Sequence, residues 1–334
     1  MQVDIAGAVR IARLAADFEW TWTVENLKRF YREAGWQSES DQDLGGKLRT
    51  GLMVSVPCGY AEYAPDFFRD YVIDEGEVEY LLALVTDMVE DTSRDGHIWL
   101  VDAFVELADQ LALELGTPLG RVTASNPRIA WILPRAVLFL SVDTEGASIR
   151  LKIVNLAYQD WLDGLVDDEV GDPDEYEEAR ASAADGDDTF PHTWPALAMA
   201  LALSLSRLPI MGELTLIAPT GTGAWFTMGS DELTCDVAPT VNDRAKGKVS
   251  AADRERWARS GWARTPMNGG IGWGRTIEWP ARYGAYEALA DAAITALRDG
   301  LGVTHPSVLE LCVKTRIAES GSIPKIIAAF DHEY

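Results

Sequence analysis

The sequence predicts an α+β protein of two lobes, each a small antiparallel sheet with helices packed on it, the second lobe in the order αβββαββα. Three observations carry that prediction. A chain of 334 residues, 47% hydrophobic and 25% charged, is long enough for two ordinary domains and has the composition of a folded protein. Its hydrophobic period switches repeatedly between about 3.6 and about 2 in both halves, the signature of interleaved helices and strands. Its charge is concentrated: residues 163–190 hold 12 acidic side chains and 1 basic one. So dense a like charge, with so few apolar residues, buries too little surface to offset the entropy of ordering. The expected division is therefore a first lobe at 1–162, an acidic linker at 163–190 and a second lobe at 191–334. The linker reads either as a solvated spacer or as an acidic docking arm.

In the first lobe, Val9, Ile11, Ala12 and Ala15 space out one helix. Thr23 caps a second, running through Val24, Leu27, Phe30 and Tyr31 to Gly35. Helical spacing recurs at 75–90 and 99–115, with a strand expected at 48–56 between the early helices and these. Three extended segments follow at 129–133, 136–142 and 147–154, the last two flanking a hairpin turn at 143–146.

The second lobe opens with the apolar helix 195–208 and continues with strands at 213–218, 224–228 and 233–238, separated by turns at Gly221, Gly223, Gly229 and Ser230. Ser250 caps a helix through Trp257 that Gly261 ends. Two short strands, 262–264 and 275–279, precede a long helix at 283–298. The expected result is one antiparallel sheet of about five strands covered by the first and last helices, with Ala288, Leu289, Ala292 and Ala296 buried.

Function is bounded first by charge. A net charge of -24 repels phosphate backbones and anionic headgroups, so nucleic acid and membrane surfaces are not expected partners. The start of the chain places Asp4 and Arg10 where a signal peptide needs an apolar run, and the longest apolar run, PALAMALALSL at 195–205, is too short for a bilayer span. A cytoplasmic location is expected. Cys58, Cys235 and Cys312 are far apart without a CxxC pair, which specifies neither a disulfide framework nor a thiolate metal site.

The motifs that could carry chemistry are sparse. NGGIGWGR at 268–275 follows no buried strand and opens no helix, as a dinucleotide loop would, and reads as a flexible loop. LGGK at 44–47 lacks the upstream glycine and following hydroxyl of a phosphate loop. His97, His192, His305 and His332 stand alone and no GxSxG turn occurs, so no nucleophilic triad is written; His305, before Pro306, reads as a cap. No catalytic residue, cofactor or metal site is therefore expected. Among 12 tryptophans, Trp273 lies in the glycine-rich stretch without periodic apolar neighbours, and it reads either as an interface anchor or as a loop side chain packed on its own sheet.

SAADRERWARSGWARTP at 250–266 and WPARYGAYEALADAAITALRDGLGVTHPSVL at 279–309, in this element order, resemble the TY-Chap domains of actinobacteria, relatives of YbjN and of type III secretion chaperones. Leu297, Arg298, Asp299, His305 and Pro306 match the family's LRD and HP positions. FEWTWTVENLKRFYREAGW at 18–36, with PRIAWILPRAVLFL and AYQDWLD, resembles an actinobacterial domain of unknown function numbered 6301. The first resemblance implies a non-enzymatic, protein-binding module, an immunity protein that neutralises a toxin or a chaperone of a secreted protein. It supplies no catalytic residue. The expected partner is a basic protein captured by the negative field, with Asp167, Asp168 and Glu169 steering and Trp273 anchoring. The rival readings are a hydrolase using carboxylates in a cleft between the lobes, and a scaffold.

Overall fold

The computed structural model describes residues 1–38, 46–63, 78–89, 94–122, 127–143, 148–157, 176–182, 190–208, 212–238, 251–267 and 270–316. These fall into two compact units, one up to residue 157 and one from residue 176. Both are α+β, each built on one antiparallel sheet.

The first unit begins with α1 (Ile5–Asp17) and α2 (Val24–Ala34). Asp4 caps α1 by accepting the Gly7 N–H at 2.8 Å, and its second oxygen accepts the Met53 N–H, so a buried carboxylate fixes both the helix start and a loop. Thr23 caps α2, and Gly35 ends it at φ +74°, a left-handed conformation that a side chain would strain. Strands β1 (Gln37–Ser38), β2 (Gly46–Arg49), β3 (Cys58–Tyr63) and β4 (Val78–Leu84) precede α3 (Arg94–Leu115). Then come β5 (Gly120–Val122), β6 (Arg128–Leu133), β7 (Ala136–Asp143) and β8 (Ser148–Asn155). The eight strands are ordered β1-β2-β3-β4-β8-β7-β6-β5. Helix α3 packs on β7 and β8 and against α1, burying Leu107 and Leu111 over Leu138, Leu140, Leu151 and Ile153. Trp20, Trp22, Phe18 and Phe30 stack together beside them.

Two expectations fail here. Residues 75–90, expected as a helix, contain β4; its six buried residues out of seven form a near-continuous apolar run, which cannot be told from a helix by period alone. The strand expected at 48–56 ends at Arg49. Most of the expected hairpin turn, residues 144–147, lies outside the described residues, although β7 and β8 pair up to Asp143↔Ser148.

The second unit comprises β9 (Tyr176–Ser182), α4 (Trp194–Leu205), β10 (Glu213–Ile217), β11 (Gly223–Met228) and β12 (Glu232–Ala238). It continues with α5 (Ala251–Arg259), β13 (Ala263–Met267), β14 (Gly270–Glu278), α6 (Tyr283–Thr295) and β15 (Glu310–Arg316). The expected αβββαββα order stands between β9 and β15. The sheet runs β13-β14-β12-β11-β10-β15-β9, seven strands rather than about five.

Strand β9 corrects the linker: part of 163–190 is an edge strand of the second sheet, in register with β15 from Glu310↔Ser182 to Arg316↔Tyr176. The acidic YEEARAS sequence is tolerated because an edge strand keeps a solvated face, and because Arg180 bonds Glu178 at 2.7 Å and Glu310 at 3.0 Å. Of the four residues expected to be buried on this helix and at its end, Leu289 and Ala296 are buried and Ala288 and Ala292 are not. Tyr283, Tyr286, Leu289, Ala290, Ala293 and Ile294 are buried, whereas Ala288 is exposed and Ala292 half-buried. With alanines all round, the sequence of this helix marks no edge to its apolar stripe.

Candidate binding face of the second sheet

Alternation along the strands gives the second sheet two unlike faces. Leu214, Leu216, Ala224, Phe226, Met228, Leu233, Cys235, Val237, Leu311 and Val313 point to one side and are buried. Helices α4 and α6 pack on each other, and α6 meets β12 and β14. Helix α5 reaches the same side through Trp257, whose ring meets that of Trp273 edge-on at 5.3 Å. The other side carries no described helix.

On that other side, strand register places one row of residues across six strands: Arg180, Cys312, Thr215, Trp225, Asp236 and Gly274. Two glycines set its relief. A Cβ at Gly223 would stand 3.2 Å from Cη2 of Trp225, so the indole lies along its own strand over a residue without a side chain. A Cβ at Gly274 would stand 2.8 Å from Oδ1 of Asp236, so the carboxylate leans over β14 in the same way. Trp225, Thr215, Asp236 and Cys312 are half-buried, and Thr227 and Glu213 at the margin are exposed.

The electrostatics single out Asp236. Its Oδ1 is buried without a hydrogen-bond partner, and burial raises its pKa above the ordinary carboxylate range. Beside a flat indole, this leaves an acceptor that a client N–H or cation could satisfy. Cys312 is pushed up to about 11, by burial first and then by the charge of Glu178, so its thiol is protonated at neutral pH and a weak nucleophile. The face suits binding by an apolar plate, an unpaired acceptor and a polar margin.

The residues named from sequence are placed differently. Trp273 is in β14, not in a loop, and is only 5% exposed, with Trp257 against it and Trp262 against Trp257. It belongs to the helix-covered side and offers no exposed anchor. The glycines that suggested a loop alternate along β14 and leave room for neighbours, as Gly274 does. Asp167, Asp168 and Glu169 lie outside the described residues. His305 caps the turn Pro306–Val308, its Nδ1 accepting the Ser307 N–H at 3.2 Å, and His97 lies in α3. No group of three or more His, Cys, Asp or Glu suited to a metal is found among the described residues. Trp225 and Asp236 were missed because neither stands in a motif. Only the cross-strand register pairs them.

Comparison with protein families adds two matches. Residues 6–155 match a family of unknown function (DUF6301), and residues 187–313 match the family described as T3SS (YopN, CesT) and YbjN peptide-binding chaperone 3. Both resemblances drawn from the sequence are thereby shown, and the second match runs from the approach to α4 into β15, taking in most of the row above. No curated protein matches the chain. No solved structure matches it either. Among the described residues, no helix is long and apolar enough to cross a membrane.

Proposed function

We propose that the second unit is a peptide-binding, non-enzymatic chaperone-like module that holds a segment of a client protein on the open face of its sheet. The match of residues 187–313 to a peptide-binding chaperone family carries this reading. The row through Trp225 and Asp236 supplies a place for it: an indole gives apolar contact at low entropy cost, and a desolvated carboxylate rewards a donor. A carboxylate in that position selects for a cationic or N–H-rich segment, in line with a basic client approaching a chain of net charge -24. In the cell this activity is that of a cytoplasmic partner of a toxin or of a secreted protein, neutralising the one or escorting the other.

The test is a peptide array of graded net charge probed with the full chain. Basic peptides with apolar residues are expected to bind best. Trp225→Ala is expected to cost about 1.4 kcal/mol, a tenfold loss of affinity. Binding that both Trp225→Ala and Asp236→Asn leave intact would move the site elsewhere, and failure to bind any peptide would refute the function.

A further inference from the structure

The first sheet also has two unlike faces, and the one turned away from α3 carries a charge pattern opposite to that of the chain. Register aligns Lys47, Tyr60, Leu82, Lys152 and Phe139 in one row. The adjoining row holds Arg49 and Cys58 on one side, and Leu84, Arg150, Ser141 and Arg128 on the other, with Cys58 and Leu84 packed in one apolar cluster. Tyr80 packs on this cluster, and Lys152 Nζ sits 3.7 Å above the Tyr80 ring. Arg128 lies over Phe139 at 5.5 Å. Lys47, Arg49 and Arg128 are exposed, as are Tyr60 at 44% and Ile132 at 56%.

Two features make this more than a scatter of surface charge. The chain has 53 carboxylates to 29 cations, yet register places five cations on this face against two carboxylates, Glu62 opposite Tyr80 and Asp143, which Arg150 engages. Arg150 is also left short of partners: its Nε is buried without a hydrogen bond, and desolvation lowers its pKa. Cations held on aromatic rings over an apolar floor are preorganised for an anion that brings apolar side chains with it.

We infer that this face of the first unit is a docking surface for an acidic, extended peptide segment of a partner protein. It is separate from the face of the second sheet, and it commits the molecule to two ligands of opposite charge. Strands lie about 4.8 Å apart, so Arg49 and Arg150 are separated by about 14 Å and Arg150 and Arg128 by about 10 Å. An extended peptide crossing the strands advances about 3.4 Å per residue and turns every second side chain toward the sheet, so carboxylates four and then two residues apart fall within side-chain reach of these cations. Nucleic acid, the other polyanion such a face could take, would bring a phosphate on every nucleotide, far more charge than these cations can meet in a chain of net charge -24, whereas the peptide brings three carboxylates.

The probe is a fluorescein-labelled peptide with Glu at i, i+4 and i+6 and Leu or Tyr between, titrated by anisotropy with the full chain. The expected result is saturable binding that weakens with salt, falls about tenfold in the Lys47→Glu, Arg49→Glu, Arg128→Glu triple variant, and is unchanged in Trp225→Ala. The three substituted residues are exposed, so melting should not change. Should it change, the Lys47→Gln, Arg49→Gln, Arg128→Gln variant gives the same reading without charge reversal. Overturning results are no binding up to about 100 μM, loss of acidic-peptide binding in Trp225→Ala, or tighter binding of a uridine-rich oligonucleotide. Binding that appears only when the carboxylates of residues 163–175 are neutralised would also overturn it, by making the chain itself the occupant.

Discussion

Asn in place of Asp236 should make the protein more stable and worse at its task. In the folded chain, burial raises the Asp236 pKa and Oδ1 has no hydrogen-bond partner, so the fold disfavours the charged form relative to the unfolded chain. For an acid with a raised folded pKa, the stabilising contribution belongs to the protonated state. It is present below the unfolded value and lost as pH rises through the folded one, so at neutral pH the carboxylate is a net cost. A buried, unsatisfied acceptor costs about 1–3 kcal/mol, and solvent screening of a half-buried group brings Asp236 toward the low end, about 1 kcal/mol. In a unit of this size that corresponds to a rise in Tm of about 2–4 °C. Differential scanning calorimetry of wild type and Asp236→Asn at pH 7 and about pH 3 reads this directly. The variant should melt higher at pH 7, converge with wild type at low pH, and bind basic peptides more weakly. A gain that persists at low pH would show that charge is not the cause. A loss of stability at pH 7 would show that the carboxylate has a partner in the native state, and the argument for an open acceptor would fall with it.

Other outcomes follow from the same geometry. Trp273→Ala empties a core site against Trp257, so it should cost about 3–5 kcal/mol of stability and lower Tm, rather than selectively speed dissociation of a client. Asp87 accepts N–H groups from Gln2 at 2.8 Å and Ser55 at 2.7 Å; burial opposes its ionisation, but these bonds outweigh it and hold the pKa below the usual carboxylate range. Its contribution is therefore present above the ordinary carboxylate pKa and lost as pH falls through the depressed one. Asp87→Ala should cost about 1–3 kcal/mol at pH 7, in urea titrations, with the gap closing in acid. Cys312, held at about 11, should react slowly with Ellman's reagent at pH 8 and faster as pH climbs toward that value, while buried Cys58 and Cys235 stay silent until the protein unfolds.

Features that depend on neighbours along the chain could be read from residue order alone. Thr23 before Val24 and Gly35 after Ala34 wrote the limits of α2, because capping is an interaction within a few residues, and the apolar run from Pro195 marked the body of α4. The order of elements from α4 to α6 was legible for the same reason, as were both family resemblances. Tertiary structure decided whatever depends on what covers a segment. Val78–Leu84 became a strand because β3 and β8 pair with it along both edges, and Glu-rich Tyr176–Ser182 became one because β15, more than a hundred residues later, offers it an open edge. Gly270–Glu278 is a strand because its glycines let Thr265 and Asp236 crowd against it, a circumstance invisible where those residues are read singly. The candidate site is of this second kind. Trp225 and Asp236 are eleven positions apart, and the cations on the first sheet are drawn from three separate strands. Only antiparallel register makes neighbours of them, because it decides which side chains share a face.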